Sequence, residues 1–381
     1  MKIQQVVLKG AQDVESGLAQ LGAVQPQMIL AFGAPQWFAD AAFVNLLCTR
    51  FSGAKIAGCS TAGEISADGV SDSACVLTGV SFDKARFSVF ADSVADIADS
   101  TAAGKRLGAS MQNEVPDAVL LFAPGVDING TALVDGLAAC LPAGVRIVGG
   151  LAGDGSAFRS TWTLSNSGAA PRTVVAVALY AGIKLAHGSF GGWKPFGPAR
   201  RVTRCDGSIL YELDGEPALD VYKRYLGDHA RDLPASGLLF PFEMLDASHR
   251  DAGLIRTIVG IDEAQGSLLL AGAVDADGFL RLMHASTDGL VDGAHAAAEA
   301  ARDMLAAPPG EGLALLVSCV GRKLVMGGRA EEEVEAVGDV LGARATLAGF
   351  YSYGEISPFL AGTECKLHNQ TMTVSYLAEA A

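Results

Sequence analysis

Two short phrases hold the residues best placed for chemistry. Gly58-Cys-Ser-Thr-Ala-Gly63-Glu64-Ile65 and Gly349-Phe-Tyr-Ser-Tyr-Gly354-Glu355-Ile356 share two glycines five apart and a Gly-Glu-Ile ending. Each follows a short apolar run, so each reads as a loop leaving a strand. A weaker third copy is Val148-Gly149-Gly-Leu-Ala-Gly153-Asp154. Glycine admits positive φ and close backbone approach, so such loops either present N–H groups to a ligand or simply turn the chain. Both uses stay open. Glu64 and Glu355 would make an acid/base pair if the two parts of the chain face each other. Capping their own loops, or hydrogen-bonding a ligand, is the favoured use.

The segment Ser318-Cys319-Val-Gly321-Arg322-Lys323 ends another apolar run. Neighbouring cations would lower the pKa of a Cys319 thiol, whereas a buried thiol would simply pack as a small apolar group. The planar fork of Arg322 suits a carboxylate, either on a ligand or in the acidic run Glu331–Glu333. Cys365 and His368 are three apart. In a strand they would point to opposite faces and would not chelate one ion. His284 ends an apolar strand, His187 adjoins a Gly-rich stretch, His229 and His249 lie among charged residues, and His295 lies on an Ala-rich helix. No GxxxxGK[ST], GxGxxG, HExxH or GxSxG motif occurs, which removes the common nucleotide, zinc-protease and hydrolase readings.

Several elements must position these residues. Alternating and short apolar runs predict strands at 3–8, 27–32, 54–57, 75–80, 86–91, 119–122, 146–148 and 174–180. Helical patterns fall at 13–21, 37–51, 98–111 and 132–141, the first capped by Asp13. Strands 75–80 and 86–91 read as a hairpin about Asp83 and Lys84. Further on, 218–226, 290–305 and 331–341 read as helices, with Pro308 and Pro309 ending the second. Strands 255–259, 267–271 and 279–284 read as a meander, followed by strands at 313–318 and 371–377. The class is α/β, with mixed β-sheets and flanking helices in two related halves. The Gly- and Pro-rich stretch 188–199 divides residues 1–194 from residues 195–381.

The 381 residues are half hydrophobic, with 28 basic against 42 acidic residues and a net charge of −14. This balance argues against nucleic acid and an anionic membrane as partners. Residues 1–194 hold 13 basic and 15 acidic residues, and residues 195–381 hold 15 and 27, so the second half offers the acidic surface. The longest uncharged stretch, 16–39, is broken by Gln, Pro and Gly, so no membrane span is expected. The N-terminus lacks the apolar core of a secretory signal, and seven scattered cysteines suit reduced thiols, so a cytoplasmic protein is expected.

The phrases IAGCSTAGEI, IVGGLAGDG, LYELDGEPALDVYKRYL, LLVSCVGRKLVMGGRAEEEVEAV and GFYSYGEISP…CKLHNQT resemble the FIST family in its N-terminal and C-terminal parts, from about Gln27 to Leu377. The resemblance implies a ligand-binding sensor of bacterial signal transduction rather than an enzyme. With no output domain in this chain, it would act in trans. One branch of the family binds haem and answers nitric oxide through a partner histidine kinase or a cyclic-di-GMP enzyme (diguanylate cyclase or phosphodiesterase). If haem is the ligand, His368 is the first choice of axial ligand, with His284 and His187 open. Arg322 would meet a propionate, and Tyr351 and Tyr353 would line the pocket. The alternative is a small organic ligand such as an amino acid, held by Arg322, Glu64 and Glu355. Self-association is left open.

Overall fold

The structure, a computed structural model, describes residues 1–305, 311–358 and 364–379. One unit of structure recurs three times. It consists of a strand, a helix, a parallel pair of strands joined through helix, a short hairpin and a closing strand. The first copy runs β1 (Lys2–Leu8), α1 (Val14–Leu21), β2 (Met28–Gly33), α2 (Pro35–Ala39), α3 (Ala41–Arg50), β3 (Lys55–Ser60), the hairpin β4 (Glu64–Ser66) and β5 (Gly69–Ser71), and β6 (Cys75–Ser81). The second runs β7 (Phe87–Ser93), α4 (Ser100–Ala109), β8 (Ala118–Ala123), α5 (Gly130–Ala138), β9 (Arg146–Leu151), β10 (Thr163–Ser165), β11 (Gly168–Ala170) and β12 (Thr173–Leu179).

The third copy opens with β13 (Ile183–Phe190) and is interrupted by an insertion. The insertion is a nine-stranded sheet of β14 (Lys194–Pro195), β15 (Arg200–Asp206), β16 (Ile209–Leu213), β17 (Glu216–Pro217), β18 (Phe242–Leu245), β19 (Asp251–Arg256), β20 (Ile258–Asp262), β21 (Ser267–Leu270) and β22 (Phe279–His284), with α6 (Ala218–Leu226) packed on it. The copy resumes with α7 (Thr287–Asp303), β23 (Gly312–Cys319), α8 (Val320–Met326), α9 (Glu331–Leu341), β24 (Ala345–Ser352), the hairpin β25 (Gly354–Pro358) and β26 (Cys365–His368), and β27 (Met372–Glu379).

The three sheets are ordered β1-β6-β2-β3-β10-β11, β7-β12-β8-β9-β25-β26 and β13-β27-β23-β24-β4-β5. Each unit therefore completes its sheet with a hairpin from another unit, and the exchange closes on itself. The central strands β8 (AVLLFA) and β23 (GLALLVSC) are buried along their whole length, as expected where both faces are covered. Their inner residues meet in one core, in which Phe32 packs on Phe350 at 4.8 Å and on Phe122 at 5.5 Å between ring centres. Gly150 makes room there, since a Cβ would stand 2.7 Å from Val317 Cγ1.

The expected mixed α/β class is present, and the same unit occurs twice between Lys2 and Leu179 and once more, around the insertion, between Ile183 and Glu379. Local expectations fail in four places. Strands 75–81 and 87–93 do not form a hairpin: β6 lies between β1 and β2, while β7 pairs with β12 in another sheet. The helix expected at 37–51 is two helices, because Asp40 is extended and its Oδ1 accepts from the N–H groups of Ala42 and Phe43 as an N-cap. The meander is only partly formed: β20 pairs with β21, but β22 pairs with β18. Asp13 precedes α1 but turns back to accept from Lys9 and Gly10 N–H groups. Pro308 and Pro309 lie outside the described residues. No described helix is long and apolar enough to cross a membrane.

Three glycines hold the parallel pairs together. A Cβ on Gly58, Gly149 or Gly349 would lie 1.9, 2.0 and 1.8 Å from the carbonyl oxygens of Ala31, Leu121 and Leu316. Alanine at any of the three should destabilise the fold by about 3 kcal/mol in urea unfolding. Alanine at Gly53, which has nothing within 4 Å, serves as the control.

Candidate functional site

A cleft of about 1060 Å³ lies between the ends of β8 and β9 and the inserted sheet. One wall is the loop Gly125–Gly130, Leu151, Phe158, Tyr353, Leu367 and Leu324. The other is the segment 229–239 with Ile258, Val259 and residues 269–273 of the insertion. Such a position, beyond the carboxyl ends of parallel strands, is where α/β folds commonly bind ligands. Eight large apolar side chains are exposed among the described residues, and five of them line this cleft: Ile97, Phe158, Val259, Leu269 and Leu324.

The third, weaker copy of the Gly-Gly-carboxylate phrase shapes the wall. The Asp154 carboxylate accepts the N–H groups of Phe158, Arg159 and Ser160, each at 2.8 Å. The Tyr353 hydroxyl donates to Asp154 and accepts from the N–H groups of Asp154 and Phe158, both at 3.2 Å. Burial pushes the Tyr353 phenol up, so it stays protonated as this donor. The Phe158 ring stacks on that of Tyr353 at 4.1 Å while its backbone sits at φ 53°. A bulky residue in the left-handed region is strained and persists only where its surroundings enforce it. Here Asp154 and Tyr353 do so, and an aromatic face is held toward the cleft.

Of the six residues the resemblance placed at a ligand site, His368, Arg322, Tyr351, Tyr353, Glu355 and Glu64, Tyr353 alone lines the cleft. Glu64 is buried and accepts from Thr61 Oγ1 (2.6 Å), Ser71 Oγ (3.3 Å) and Ala74 N–H (3.0 Å). Glu355 is buried and accepts from Ser352 Oγ (2.7 Å) and from Thr371 N–H and Oγ1 (3.0 and 2.9 Å). Each carboxyl caps its own loop, three residues after a hydroxyl. Arg322 is fully buried. Its Nε and Nη2 donate to Glu333 Oε2 at 3.0 and 2.7 Å, and its other donors reach the carbonyls of Gly191 and Leu290. The partner is thus the acidic run, not a ligand. Tyr351 is buried and donates to the Ala330 carbonyl. Burial pushes the Cys319 thiol up, away from an activated nucleophile.

His368 lies in β26, next to Leu367. Successive strand residues face opposite sides, so Leu367 meets the cleft and His368 does not. Its Nε2 lies 2.9 Å from the Ser357 carbonyl, and burial lowers its pKa to about 4, so the ring is neutral at pH 7. His187 is also buried and lowered to about 4, and His284 is exposed. His229 does line the cleft, whereas no Lys or Arg does. His368 and Arg322 therefore do not fit a haem in this cleft. Among the described residues, no cluster of three or more His, Cys, Asp or Glu side chains is placed to hold a metal ion.

With this geometry in view, comparisons with known proteins place the chain. The FIST N domain matches residues 27–216, and the FIST C domain matches residues 218–358. The chain belongs to the FIST family. FIST domains are small-ligand sensor domains of signal transduction. Among similar proteins, the uncharacterized protein Mb0898c of Mycobacterium bovis is 29% identical over 272 residues, covering 69% of this chain and 65% of its own length. The uncharacterized protein MT0656 of Mycobacterium tuberculosis is 27% identical over 269 residues, covering 69% and 68%. The chain thus spans about two thirds of these relatives. The crystal structure of cyanuic acid hydrolase from A. caulinodans aligns with a TM-score of 0.40 and 11% identity, over 100% of this chain and 99% of that one.

Two outcomes follow from the buried acids. Desolvation raises the Glu64 carboxyl to about 7 and that of Glu355 to about 8, against the opposing pull of their hydrogen bonds. Above the ordinary carboxylate range, the folded chain still holds protons that the unfolded chain has released, so stability falls as pH rises toward those values. The two buried histidines act in the opposite sense, but only below their ordinary 6.5. Between pH 6.5 and 8 thermal melts should therefore show falling stability, and Glu355→Gln should flatten the slope. An equal slope in the variant would show another source. For the buried pair, Glu333→Ala should cost about 3–5 kcal/mol in urea, because it strands a buried guanidinium. Arg322→Met with Glu333→Leu should recover much of that loss.

Proposed function

We propose that this chain is a receptor whose ligand site is the cleft between the three-unit body and the inserted sheet, and that its ligand is a small, mainly apolar molecule. The observation that carries the reading is the convergence of five exposed apolar side chains on one cleft of about 1060 Å³. Large exposed apolar patches on a folded chain mark binding surfaces, and ligand pockets of this size are mostly apolar. Binding rather than turnover suits the polar groups of the wall. Tyr353, Asp154 and Asn129 are engaged in holding their own loops, Asn129 by capping α5 at the Ala132 N–H. A ligand touching both walls favours whichever arrangement of insertion and body buries it best. That shift would be passed in trans to a cytoplasmic partner, a histidine kinase or a cyclic-di-GMP enzyme, across the acidic second half.

The haem and nitric oxide reading would need a different ligand set from the one the resemblance implied, with His229 as the nitrogen donor in the cleft. Calorimetric titration with a panel of small apolar and amphipathic compounds, with haem alongside, separates the readings. Phe158→Asn keeps a residue tolerant of the left-handed backbone but removes the ring. It and Leu269→Asp should each weaken binding at least tenfold. Met304→Asp, at an exposed apolar residue outside the cleft, should not. Binding unaffected by both cleft variants would overturn the site. A Soret band that survives in His368→Ala and is lost in His229→Ala would replace the organic ligand with haem.

A further inference from the structure

Two arginines are buried in this protein, and they are treated differently. Arg322 has Glu333. Arg256, at the end of β19, is 3% exposed and has no carboxylate partner among the described residues. Its Nε donates to the Ala273 carbonyl at 2.9 Å, and Nη1 donates to those of Ile255 and Leu367 at 3.2 and 3.3 Å. Three neutral oxygens do not balance a buried charge, which is stable in a protein interior only when paired. Burial lowers the pKa of this guanidinium to about 10, so it remains charged at neutral pH, and desolvation is the cause, with no neighbouring anion.

The location gives the unbalanced cation a use. Ala273 and Leu367, whose carbonyls it holds, both line the cleft, one from the insertion and one from the body. Gly272 lies in the same wall, and a Cβ there would stand 2.8 Å from Arg256 Nε. Arg256 does not itself line the cleft; its guanidinium lies behind the wall at Gly272, which has no side chain. The two acids of the lining are elsewhere engaged or exposed: Asp127 pairs with Arg172 at 3.4 Å, and Asp232 is exposed.

We propose that the ligand of the cleft is an amphipathic carboxylate, its apolar body against Phe158 and Leu269 and its carboxylate paired with Arg256 beside Gly272. The proposal rests on the cleft being the ligand site. A carboxylate there completes the ion pair that the fold leaves open, received by Nη2, since Nε and Nη1 already donate to carbonyls. Because Arg256 bridges insertion and body, the same pairing would tighten the junction between them.

The test compares three probes of one length, octanoate, octanol and octylamine, by calorimetric titration of the full chain at pH 7. Octanoate should bind at least tenfold more tightly than octanol, and octylamine more weakly than either. Arg256→Gln, which keeps amide donors for the carbonyls, should bring octanoate down to the level of octanol. If that variant does not fold, the three-probe comparison on the unaltered chain still decides. Octanol binding as tightly as octanoate, or octylamine tightest, would overturn the carboxylate while leaving the apolar cleft intact. Binding of none of the three would overturn both readings together.

Discussion

The structure depends on one constraint: no unit completes its own sheet. The hairpin β10–β11 of the second unit closes the first sheet, β25–β26 of the third closes the second, and β4–β5 of the first closes the third. Short two-stranded hairpins are marginal by themselves, so each is stable only as an edge on a neighbour's sheet. Ring closure makes the three units interdependent, and the aromatic contacts among Phe32, Phe122 and Phe350 fill the point where they meet. The glycines at 58, 149 and 349 are the local condition for this arrangement, because they let the parallel strands approach to where a Cβ would strike a carbonyl.

The same exchange places the cleft. Tyr353 leads into the hairpin β25–β26, and Leu367 lies on it. Because that hairpin is donated to the second unit's sheet, both side chains arrive beside Leu151 and the Asp154 turn. The insertion leaves the third unit after β13 and covers the same strand ends. A site made of parts from the second unit, the third unit and the insertion is thus a consequence of the exchange, not of any single segment. In the first and third units the corresponding turns carry Glu64 and Glu355, buried and holding their own loops. The second unit's phrase is one residue shorter and ends in Asp154, whose carboxylate supports the wall of the cleft instead.

Much of the local structure was legible in the chain, for reasons tied to particular residues. Wholly apolar runs such as 118–123 and 313–317 announce buried strands, and the repeated Gly-Gly-Glu phrases announce equivalent turns. Family membership was legible in the longer phrases. The site was far less so. Arg322, in a well-marked phrase, is a structural cation locked to Glu333, whereas Arg256, in an unremarkable strand, is the one left without an anion. His368 was singled out while its neighbour Leu367 faces the cleft, a difference of one strand position. Phe158, which follows a phrase already noticed, could have been found by asking what the third copy's Asp154 holds in place.

The sequence by itself determined the α/β class, the strand and helix segments, the recurrent glycine turns and the family, because these follow from periodicity and from backbone geometry that only certain residues allow. It also determined the acidic balance that argues against nucleic-acid partners. Only the tertiary structure decided which hairpin closes which sheet, which carboxylates cap loops, which arginine is paired and where apolar surface stays exposed. Those outcomes depend on contacts between residues up to several hundred positions apart, such as Gln5 with Leu347. Local spacing carries no information about such pairs, because what selects them is the burial and pairing of whole units against one another.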